Sequence, residues 1–458
     1  VAFLDDDMNK IGTRIDGTPV LGPIDDVVEL LQRTPADEAL IAMPGVARDR
    51  LKQIYLLLVR AGFVKIRIVP TVAQIVDGEA HLIQARNIDP EDLLARNPVR
   101  MNLKSSLAYL RGKRVLITGA GGSIGSELAR QLLSGGAERL YLFGHGENSI
   151  YDVDRELRIL QEEGVGERAS IVPIIGELQD RDHMHFLINR LRADVVFHTA
   201  AHKHVPMMEA NPVEAVKNNV FGTDNLISAC RESGVERFVM ISTDKVVEPA
   251  CVYGASKRIA EALVLAQPTD RQAFVVVRFG NVLGSRGSII PLFRKQILKG
   301  GPVTLTHPDT SRFFMTISEA ASLVLQAGGV GEAGRLYLLD MGEPLRIRDL
   351  AEQMIRFYGF EPETDIYFDF IGMRPGEKIT EELYDPAERP EPTEFPRINR
   401  AEGRQGLVAQ VDEIVESLRD FCFRNPKRPE SFRNRRGLRA MLAHYVPTLE
   451  ISEDEPEY

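Results

Sequence analysis

The sequence predicts an α/β protein whose main domain is a doubly wound parallel sheet with helices on both faces. Short apolar runs alternate along the chain with amphipathic segments of helical period. The runs are almost continuously apolar, which is typical of parallel strands that are buried on both faces. One run leads directly into a glycine-rich turn that opens a helix, as in Rossmann domains.

Composition sets the outer limits on function. The chain has 458 residues, which at roughly 150 per domain leaves room for about three domains. Its net charge of −10 disfavours broad nucleic-acid binding, although a local cationic pocket stays compatible with it. The three cysteines are too few for a disulfide framework and have no metal-ligand spacing, so we expect a reducing compartment and no metal.

Two further expectations concern membrane spans and the extent of the chain. No apolar run approaches the roughly 18 residues that span a bilayer, so we expect this chain to be soluble. The chain opens on VAFL, which has the composition of the middle of a strand, so we expect it to be part of a longer protein.

Residues 1–72 are predicted to form a small Rossmann-like α/β domain with a parallel sheet, because apolar and amphipathic segments alternate. These segments are VAFL, IDDVVELLQR, EALIAMP, RDRLKQIYLLLVRAG and VKIRIVP. Residues 73–112 have an irregular pattern that contains Pro90 and Pro98, and we predict a connecting arm there.

A longer α/β pattern begins at Arg114 and defines the predicted domain 113–284. RVLIT is a strand, SIGSELARQLLS is a helix that closes at Gly135 and Gly136, and RLYLF is the next strand. Further strands are predicted at 171–176, 194–199, 237–242 and 274–279.

Beyond this domain the pattern loses its regularity. We predict a substrate-binding subdomain over 285–400 that is interleaved with the sheet, since strand and helix patterns return at 335–339 and 347–358. Residues 401–458 are predicted to form a mostly helical tail.

The glycine-rich turn GAGGSIG predicts a dinucleotide site. Its glycines allow a tight turn and let the backbone approach a pyrophosphate, and the helix that follows supplies free N–H groups. The residues of this turn that we assign to cofactor binding are Gly119, Gly121, Gly122, Ser123, Ile124 and Gly125.

The acid that usually binds the adenosine ribose is missing from its expected place. Gly144 lies there, and Glu147 comes slightly late. No arginine in LFGHGENS would accept a 2′-phosphate, so we favour NAD while NADP stays open.

A second motif predicts catalysis. Tyr253 and Lys257 are four residues apart and share a helix face, and a nearby ammonium favours the phenolate form of a tyrosine. The strand RFVMIS ends upstream in Thr243, Asp244 and Lys245, at the sheet edge where doubly wound folds bind ligands. The alternative, non-catalytic interpretations are a surface Tyr–Lys pair and a solvent-exposed Asp–Lys ion pair.

These motifs resemble those of the extended short-chain dehydrogenase/reductases. Longer stretches resemble the polysaccharide-biosynthesis nucleotide-sugar 4,6-dehydratases, which include membrane-anchored UDP-N-acetylglucosamine 4,6-dehydratases. The resemblance covers about 111–400, and the arrangement of 1–72 is also similar to that group's N-terminal domain. The stretches are HTAAHKHVPMMEANPVEAVKNNVFGT, STDKVVEPACVYGASKR, VRFGNVLGSRGSIIPLFRKQI, GGPVTLTHPDTSRFFMTISEA and IGMRPGEKITEEL.

The resemblance implies an internal redox cycle on a UDP-sugar with NAD as cofactor. Tyr253 would take the proton from the hydroxyl on carbon 4, Lys245 or a neighbour the proton on carbon 5, and Asp244 would protonate the departing hydroxyl on carbon 6. It also implies a homo-oligomer, held at the cytoplasmic side of the inner membrane by an upstream segment absent from this chain.

The resemblance further assigns binding residues. Along the cofactor it places Glu147, Glu177, Leu178, Ala200, Ala201, Asn219, Tyr253 and Lys257. Around the nucleotide sugar it places His202, Lys203, Asn281, Arg312, Arg374 and Glu377.

The sequence departs from the family pattern at a few positions. Many large members have Met where Tyr253 stands, so the presence of Tyr favours the ordinary phenolate chemistry. The family often has an acid at Gly144 and Asp at Glu177, so recognition of the adenosine is the weaker part of the match. Two rival functions stay open: a nucleotide-sugar 4-epimerase, and a non-catalytic NAD(P)-sensing protein.

Overall fold

The computed structural model describes residues 1–43, 46, 48–63, 65–69, 86–87, 107–268, 270–403 and 406–451. The chain divides into two compact units, a smaller one drawn from 1–100, 292–304 and 349–369 and a larger one drawn from 101–291, 305–348 and 370–458. The residues predicted as one subdomain, 285–400, are therefore shared between the units, and the predicted domain boundaries stay predictions. Most of the predicted connecting arm lies outside the described residues.

The smaller unit contains two three-stranded sheets. Its strands are β1 (Phe3–Leu4), β2 (Arg14–Ile15), β3 (Thr18–Gly22), β4 (Glu38–Ile41), β5 (Lys65–Ile68) and β6 (Arg86–Asn87), and the N-terminal helices are α1 (Val27–Arg33) and α2 (Arg48–Arg60). In each sheet one pair of strands is parallel and the other is antiparallel. The predicted parallel pairing is therefore present between β4 and β5, but each sheet also contains an antiparallel pair that was not predicted.

The antiparallel pair β2–β3 has a simple local cause. Asp16 and Gly17 connect the two strands, and both have positive φ, 45° and 80°. An Asp-Gly pair with left-handed backbone is the favoured two-residue hairpin turn, because its twist matches that of the strands.

The core of the smaller unit joins distant parts of the sequence. The ring of Tyr55 stacks on that of Phe357 with centroids 4.4 Å apart, and its hydroxyl donates to the Phe357 carbonyl at 3.2 Å. Ile54 and Leu58 are buried in the same cluster.

The larger unit is built on a nine-stranded sheet. The remaining strands of the chain are β7 (Arg114–Thr118), β8 (Arg139–Gly144), β9 (Ser170–Ile175), β10 (Val195–His198), β11 (Arg237–Thr243), β12 (Ala273–Phe279), β13 (Asn281–Val282), β14 (Val303–Leu305), β15 (Ser311–Arg312), β16 (Phe314–Met315), β17 (Arg335–Leu339), β18 (Leu345–Arg346), β19 (Phe368–Phe370), β20 (Arg389–Pro392) and β21 (Ile398–Glu402). The remaining helices are α3 (Ser123–Gly135), α4 (Glu147–Glu162), α5 (Arg181–Leu191), α6 (Val205–Ala210), α7 (Pro212–Val216), α8 (Gly222–Glu232), α9 (Val252–Leu265), α10 (Ile289–Leu298), α11 (Ile317–Val330), α12 (Ile347–Phe357), α13 (Val411–Cys422) and α14 (Arg435–Tyr445).

The strand order of the large sheet is β20-β21-β17-β12-β11-β10-β7-β8-β9. Neighbours from β17 to β9 are parallel, and the edge strands β21 and β20 are antiparallel. The direction of winding reverses between β7 and β10. Such a reversal leaves a crevice at the carboxyl ends of the strands, where doubly wound sheets bind ligands.

Both faces of the sheet are covered by apolar cores. Along β7, Leu116 packs in one core while Val115 and Ile117 pack in the other. In β11, Phe238 and Val239 alternate in the same way. Because successive side chains of a strand point to opposite faces, two covered faces require an unbroken apolar run. This confirms the predicted doubly wound fold.

No helix among the described residues is long and apolar enough to cross a membrane.

Candidate active site

The glycine turn lies at the carboxyl end of β7, next to the reversal point. Gly119 has a φ of +70°, and a Cβ there would lie 2.7 Å from the backbone nitrogen of Ala200. A Cβ on Gly125 would lie 2.3 Å from the Gly119 carbonyl oxygen. A Cβ on Gly121 would lie 2.4 Å from Ser149 Oγ. These close approaches allow only glycine, and they hold the turn tightly between the β10 end and α4.

The residues of this turn suit the pyrophosphate of a dinucleotide. Helix α3 begins at Ser123, and among the described residues no side chain caps its N-terminus. Its first N–H groups and its dipole are therefore available to an anion. Arg286, from the segment after β13, donates from Nη1 to the Gly121 carbonyl at 2.9 Å and from its backbone N–H to Ser123 Oγ at 3.0 Å. This exposed arginine adds a positive charge beside the turn, and sequence reasoning missed it.

The residues predicted to line the adenosine side of the cofactor site differ in solvent exposure. Glu147 is the first residue of α4 and is exposed, and Glu177, in the segment between β9 and α5, is exposed as well. Leu178 is buried, and a Cβ on Gly222 would lie 2.9 Å from its Cβ.

Behind the turn, a buried polar network links strands and helices. His198 at the end of β10 bonds to Thr118 Oγ1 at 2.7 Å and to Thr223 Oγ1 at 2.9 Å, and Thr223 donates to the Asn219 carbonyl at 2.7 Å. Burial and the charge of Lys257 hold the pKa of His198 well below its usual value. His198 is therefore a neutral structural group at physiological pH.

Asn219 connects this network to the helix that carries the tyrosine. It lies in a π-helical turn, Lys217–Phe221, and its amide donates to the His202 carbonyl and to Ser256 Oγ, both at 3.0 Å. Ser256 in turn donates to the Tyr253 carbonyl at 2.8 Å. Asn219 also accepts from the His202 backbone N–H at 2.9 Å, so it positions the segment that follows Ala200 and Ala201.

The strand-end residues form a compact charged group. Thr243 ends β11 and donates to Asp244 Oδ1 at 2.9 Å, and Lys245 Nζ donates to the same oxygen at 2.9 Å. Asp244 is fully buried, and its Oδ2 has no hydrogen-bond partner among the described residues. An unpaired buried carboxylate oxygen is costly and calls for a functional explanation.

Tyr253 and Lys257 lie in the first turns of α9, and both are buried. Burial raises the pKa of Tyr253 to about 12, while the Lys245 charge and a hydrogen bond with Thr243 act in the opposite direction. Burial lowers the pKa of Lys257 to about 8 against the charge of Glu261. Tyr253 therefore shares one electrostatic environment with the strand-end group.

Helix α9 is held in place by two ion pairs, one partly buried and one buried. Glu209 accepts from the Val252 N–H at 2.7 Å and is itself paired with Arg439 of α14 at 2.7 Å. Arg278 of β12 pairs with Glu261 of α9 at 2.8 Å. The C-terminal helices and the sheet together fix the helix that carries Tyr253.

Three of the predicted sugar-binding residues surround Lys245. Asn281 accepts from Lys245 Nζ at 3.3 Å. Desolvation of its ammonium and the charge of Lys245 lower the pKa of Lys203, although the residue as a whole is exposed. The Arg312 guanidinium donates to the carbonyls of Lys378 and Ile379, at 2.7 and 2.9 Å. Arg312 thus holds the loop that follows Gly376.

Arg374 and Glu377 belong to that loop and form an ion pair with each other, with Arg374 Nε donating to Glu377 Oε1 at 2.9 Å. The loop packs on the chain between Lys245 and Tyr253, since Lys378 Nζ donates to the Val247 carbonyl at 3.1 Å. The structure thus brings the loop to the candidate site but leaves the Arg374 side chain half exposed.

The structure adds Glu381, to which sequence reasoning gave no role. Its side chain is 5% exposed, and Oε1 lies 3.7 Å from Lys245 Nζ. The neighbouring Glu382 is exposed. The two glutamates are adjacent in IGMRPGEKITEEL, and no sequence signal separates the buried one from the exposed one.

Comparison with known proteins identifies the family. The model of a family described as polysaccharide biosynthesis protein matches residues 115–403, more than half of the chain. The chain belongs to this family. A CoA-binding domain model also matches residues 1–70. The predicted family is thereby confirmed.

Individual relatives carry more specific names. The capsular polysaccharide biosynthesis protein CapD of Staphylococcus aureus is 43% identical over 91% of this chain and 69% of its own length. An inverting UDP-N-acetylglucosamine 4,6-dehydratase of Campylobacter jejuni is 31% identical over 59% of this chain and 77% of its own length. A UDP-glucose 4-epimerase of Rickettsia canadensis is 32% identical over the same shares of each chain.

Among solved structures, Pen from Bacillus thuringiensis is similar to this chain. It has a TM-score of 0.57 and 32% identity, and the match covers 64% of this chain and 89% of Pen.

Proposed function

We propose that this chain is a nucleotide-sugar 4,6-dehydratase of polysaccharide biosynthesis that uses NAD and acts on UDP-N-acetylglucosamine or a related UDP-N-acetylhexosamine. The observation that carries the proposal is the buried group Thr243, Asp244 and Lys245, which shares its environment with Tyr253. The names of the Staphylococcus and Campylobacter relatives support the pathway and the substrate class.

The turn at Gly119–Gly125 would hold the dinucleotide by its backbone N–H groups and the N-terminus of α3. When bound there, NAD would supply the hydride acceptor and hydride donor that the internal redox cycle needs. Burial raises the pKa of Tyr253 to about 12, and the charge of Lys245 and the hydrogen bond with Thr243 act toward the phenolate.

In the proposed reaction, Tyr253 takes the proton of the carbon-4 hydroxyl as that carbon becomes a ketone. The ketone acidifies the proton on carbon 5, and Lys245 as a free amine takes it. The bond between carbon 6 and its hydroxyl breaks, and Asp244 as a carboxylic acid supplies the proton with which that hydroxyl leaves as water. The Lys245 ammonium would then return a proton to carbon 5, and with a hydride restored at carbon 6 the product would be the 4-keto-6-deoxy sugar.

The hydrogen bond between Lys245 and Asp244 gives a physical basis for these two roles. At 2.9 Å, one proton can move along it from Nζ to Oδ1. The ion pair then becomes an amine and a carboxylic acid, which are the base and the acid that elimination needs. A 4-epimerase needs neither group, so the pair favours dehydration over epimerisation.

The test is product analysis with the purified chain, NAD⁺ and UDP-N-acetylglucosamine in deuterated water. We expect a product that has lost one water and carries one deuterium at carbon 5, seen by mass and proton spectra. Recovery of the galacto isomer without solvent deuterium would identify an epimerase. Absence of product from UDP-N-acetylglucosamine and from other UDP-N-acetylhexosamines, together with NAD binding, would favour a sensing protein.

Two substitutions test the residue roles. Tyr253→Phe and Asp244→Asn should each lower turnover by about 10²- to 10⁴-fold, the usual contribution of a general acid or base. NAD affinity should change little in Asp244→Asn, because that side chain lies at the end of β11 rather than in the glycine turn. Unchanged elimination in Asp244→Asn would remove it as the acid.

A further inference from the structure

A second buried carboxylate faces the strand-end charged group. Glu381 Oε1 lies 3.7 Å from Lys245 Nζ and 4.0 Å from Arg312 Nη2. The exposed fractions of the three side chains are 5%, 18% and 11%. Both distances are longer than a hydrogen bond, so Glu381 acts here mainly by its charge.

Lys245 is thus held between two carboxylates. Its ammonium donates to Asp244 Oδ1 at 2.9 Å and to Asn281 Oδ1 at 3.3 Å, and Glu381 Oε1 lies 3.7 Å from it. Burial by itself lowers the pKa of Lys245, but the charges of Asp244 and Glu381 outweigh it and raise that pKa above its ordinary value. At neutral pH the resting group is therefore an ammonium, which is not a base.

Several other groups act on this charge balance. Burial raises the pKa of Glu381, while Lys245, Arg312 and Lys378 act in the opposite direction. The charged and titratable groups coupled to Lys245 or Glu381 are Asp244, Arg312, Lys378, Lys203, Cys251 and Tyr253.

We propose that Glu381 is a positioning residue for the elimination step, which holds the Lys245 side chain beside Asp244 and Asn281 and sets how readily Lys245 releases its proton. Glu381 also ties Lys245 to Arg312, whose guanidinium holds the loop that contains Glu381. The role in elimination rests on the proposed dehydratase function, whereas the coupling between Glu381 and Lys245 stands independently of it.

The first experiment measures the coupling without any turnover. Intact chain is acylated with trace acetic anhydride over a range of pH, and acetylation of Lys245 is quantified by peptide mass spectrometry. In Glu381→Gln the midpoint of Lys245 labelling should fall by one to three pH units, the usual effect of removing a charge within about 4 to 6 Å. Glu381→Asp, which keeps the charge, should stay nearer to the wild-type midpoint.

Glu382→Gln is the matched control, since it is the neighbouring glutamate and is exposed. Its midpoint should equal that of the wild type. Protection of the buried cysteines from thiol reagents shows that each variant is folded. An unchanged Lys245 midpoint in a folded Glu381→Gln chain would overturn the proposal.

The second experiment follows the pH dependence of kcat for the 4-keto-6-deoxy product. Its acidic limb reports the addition of a proton to the Lys245–Asp244 pair, which the Glu381 charge favours, so the limb should move to lower pH in Glu381→Gln and stay in place in Glu382→Gln. A uniform loss of kcat with no movement of the limb would reduce Glu381 to a structural group and overturn the proposed role. If the wild-type chain forms no product while the labelling midpoint still shifts, the dehydratase function fails and the coupling stands.

Discussion

The buried arginine behind the candidate site gives the sharpest stability prediction. Arg278 is 2% exposed on β12 and forms paired hydrogen bonds with two buried carboxylates. Nε and Nη2 donate to Glu261 at 3.0 and 2.8 Å, and Nη1 and Nη2 donate to Glu388 at 2.7 and 3.1 Å. In Arg278→Met both carboxylates lose their cation, and breaking a buried pair in this way costs about 3–5 kcal/mol.

Arg335 on the adjacent strand β17 supplies a matched control. It also pairs with a glutamate through two hydrogen bonds, to Glu402 at 2.9 and 3.1 Å, but the two side chains are 40% and 31% exposed. Solvent screens such a pair, so Arg335→Met should cost no more than about 1 kcal/mol. Glu402 also keeps a second cation, Arg400, whose Nε lies 3.0 Å from Glu402 Oε1, so solvent exposure and this second partner both keep the cost low.

The cysteines provide the assay. All three cysteines of the chain, Cys230, Cys251 and Cys422, are buried in the larger unit, so their reactivity with a thiol reagent in urea reports on that unit alone. A loss of about 3 kcal/mol corresponds to a rise of about 150-fold in the reactive population at a given urea concentration. Equal losses in the two variants would refute the reasoning.

Three further predictions concern the site. Gly125→Ala places a Cβ 2.3 Å from the Gly119 carbonyl oxygen, so NAD affinity measured by titration calorimetry should fall at least about tenfold while the cysteines stay protected. Unchanged affinity would contradict the proposed role of the glycine turn in binding the dinucleotide. Arg439→Met removes the cation that pairs with Glu209 at the start of the helix that bears Tyr253, so kcat should fall by about tenfold or more. An unchanged kcat would show that the C-terminal helix α14 has no positioning role. Because burial raises the pKa of Tyr253 to about 12, this phenol should stay protonated at a pH of about 10.5, where an ordinary tyrosine is mostly ionised. Ultraviolet difference spectra of the wild type and Tyr253→Phe without cofactor should then show equal phenolate absorbance. A difference of one phenolate would contradict the burial effect.

The sequence predicted the large sheet well because its strands are covered on both faces. Strands predicted at 171–176, 194–199, 237–242 and 274–279 lie within one residue of those observed at each end. An unbroken apolar run bounded by polar residues leaves little freedom in where such a strand begins. The helix predicted to close at Gly135 and Gly136 ends there as well, with Gly136 in the left-handed conformation.

The failures have local and long-range causes. Asp16 and Gly17 carry a recognised turn signal for the β2–β3 hairpin, but the alternation of strand and helix patterns over 1–72 favours parallel strands instead. Glu381 and Arg286 could not be assigned, since each acquires its role from contacts with residues more than a hundred positions away.

The central claim is that one hexose meets Tyr253, Asp244 and Lys245 together, and the fate of the hydrogen on carbon 4 tests it most directly. UDP-N-acetylglucosamine deuterated at carbon 4 is converted under single-turnover conditions, and the product is examined by deuterium and proton spectra. The account predicts that the deuterium appears in the methyl group at carbon 6 of a 4-keto product. Deuterium that stays on carbon 4 of an epimerised sugar would contradict it.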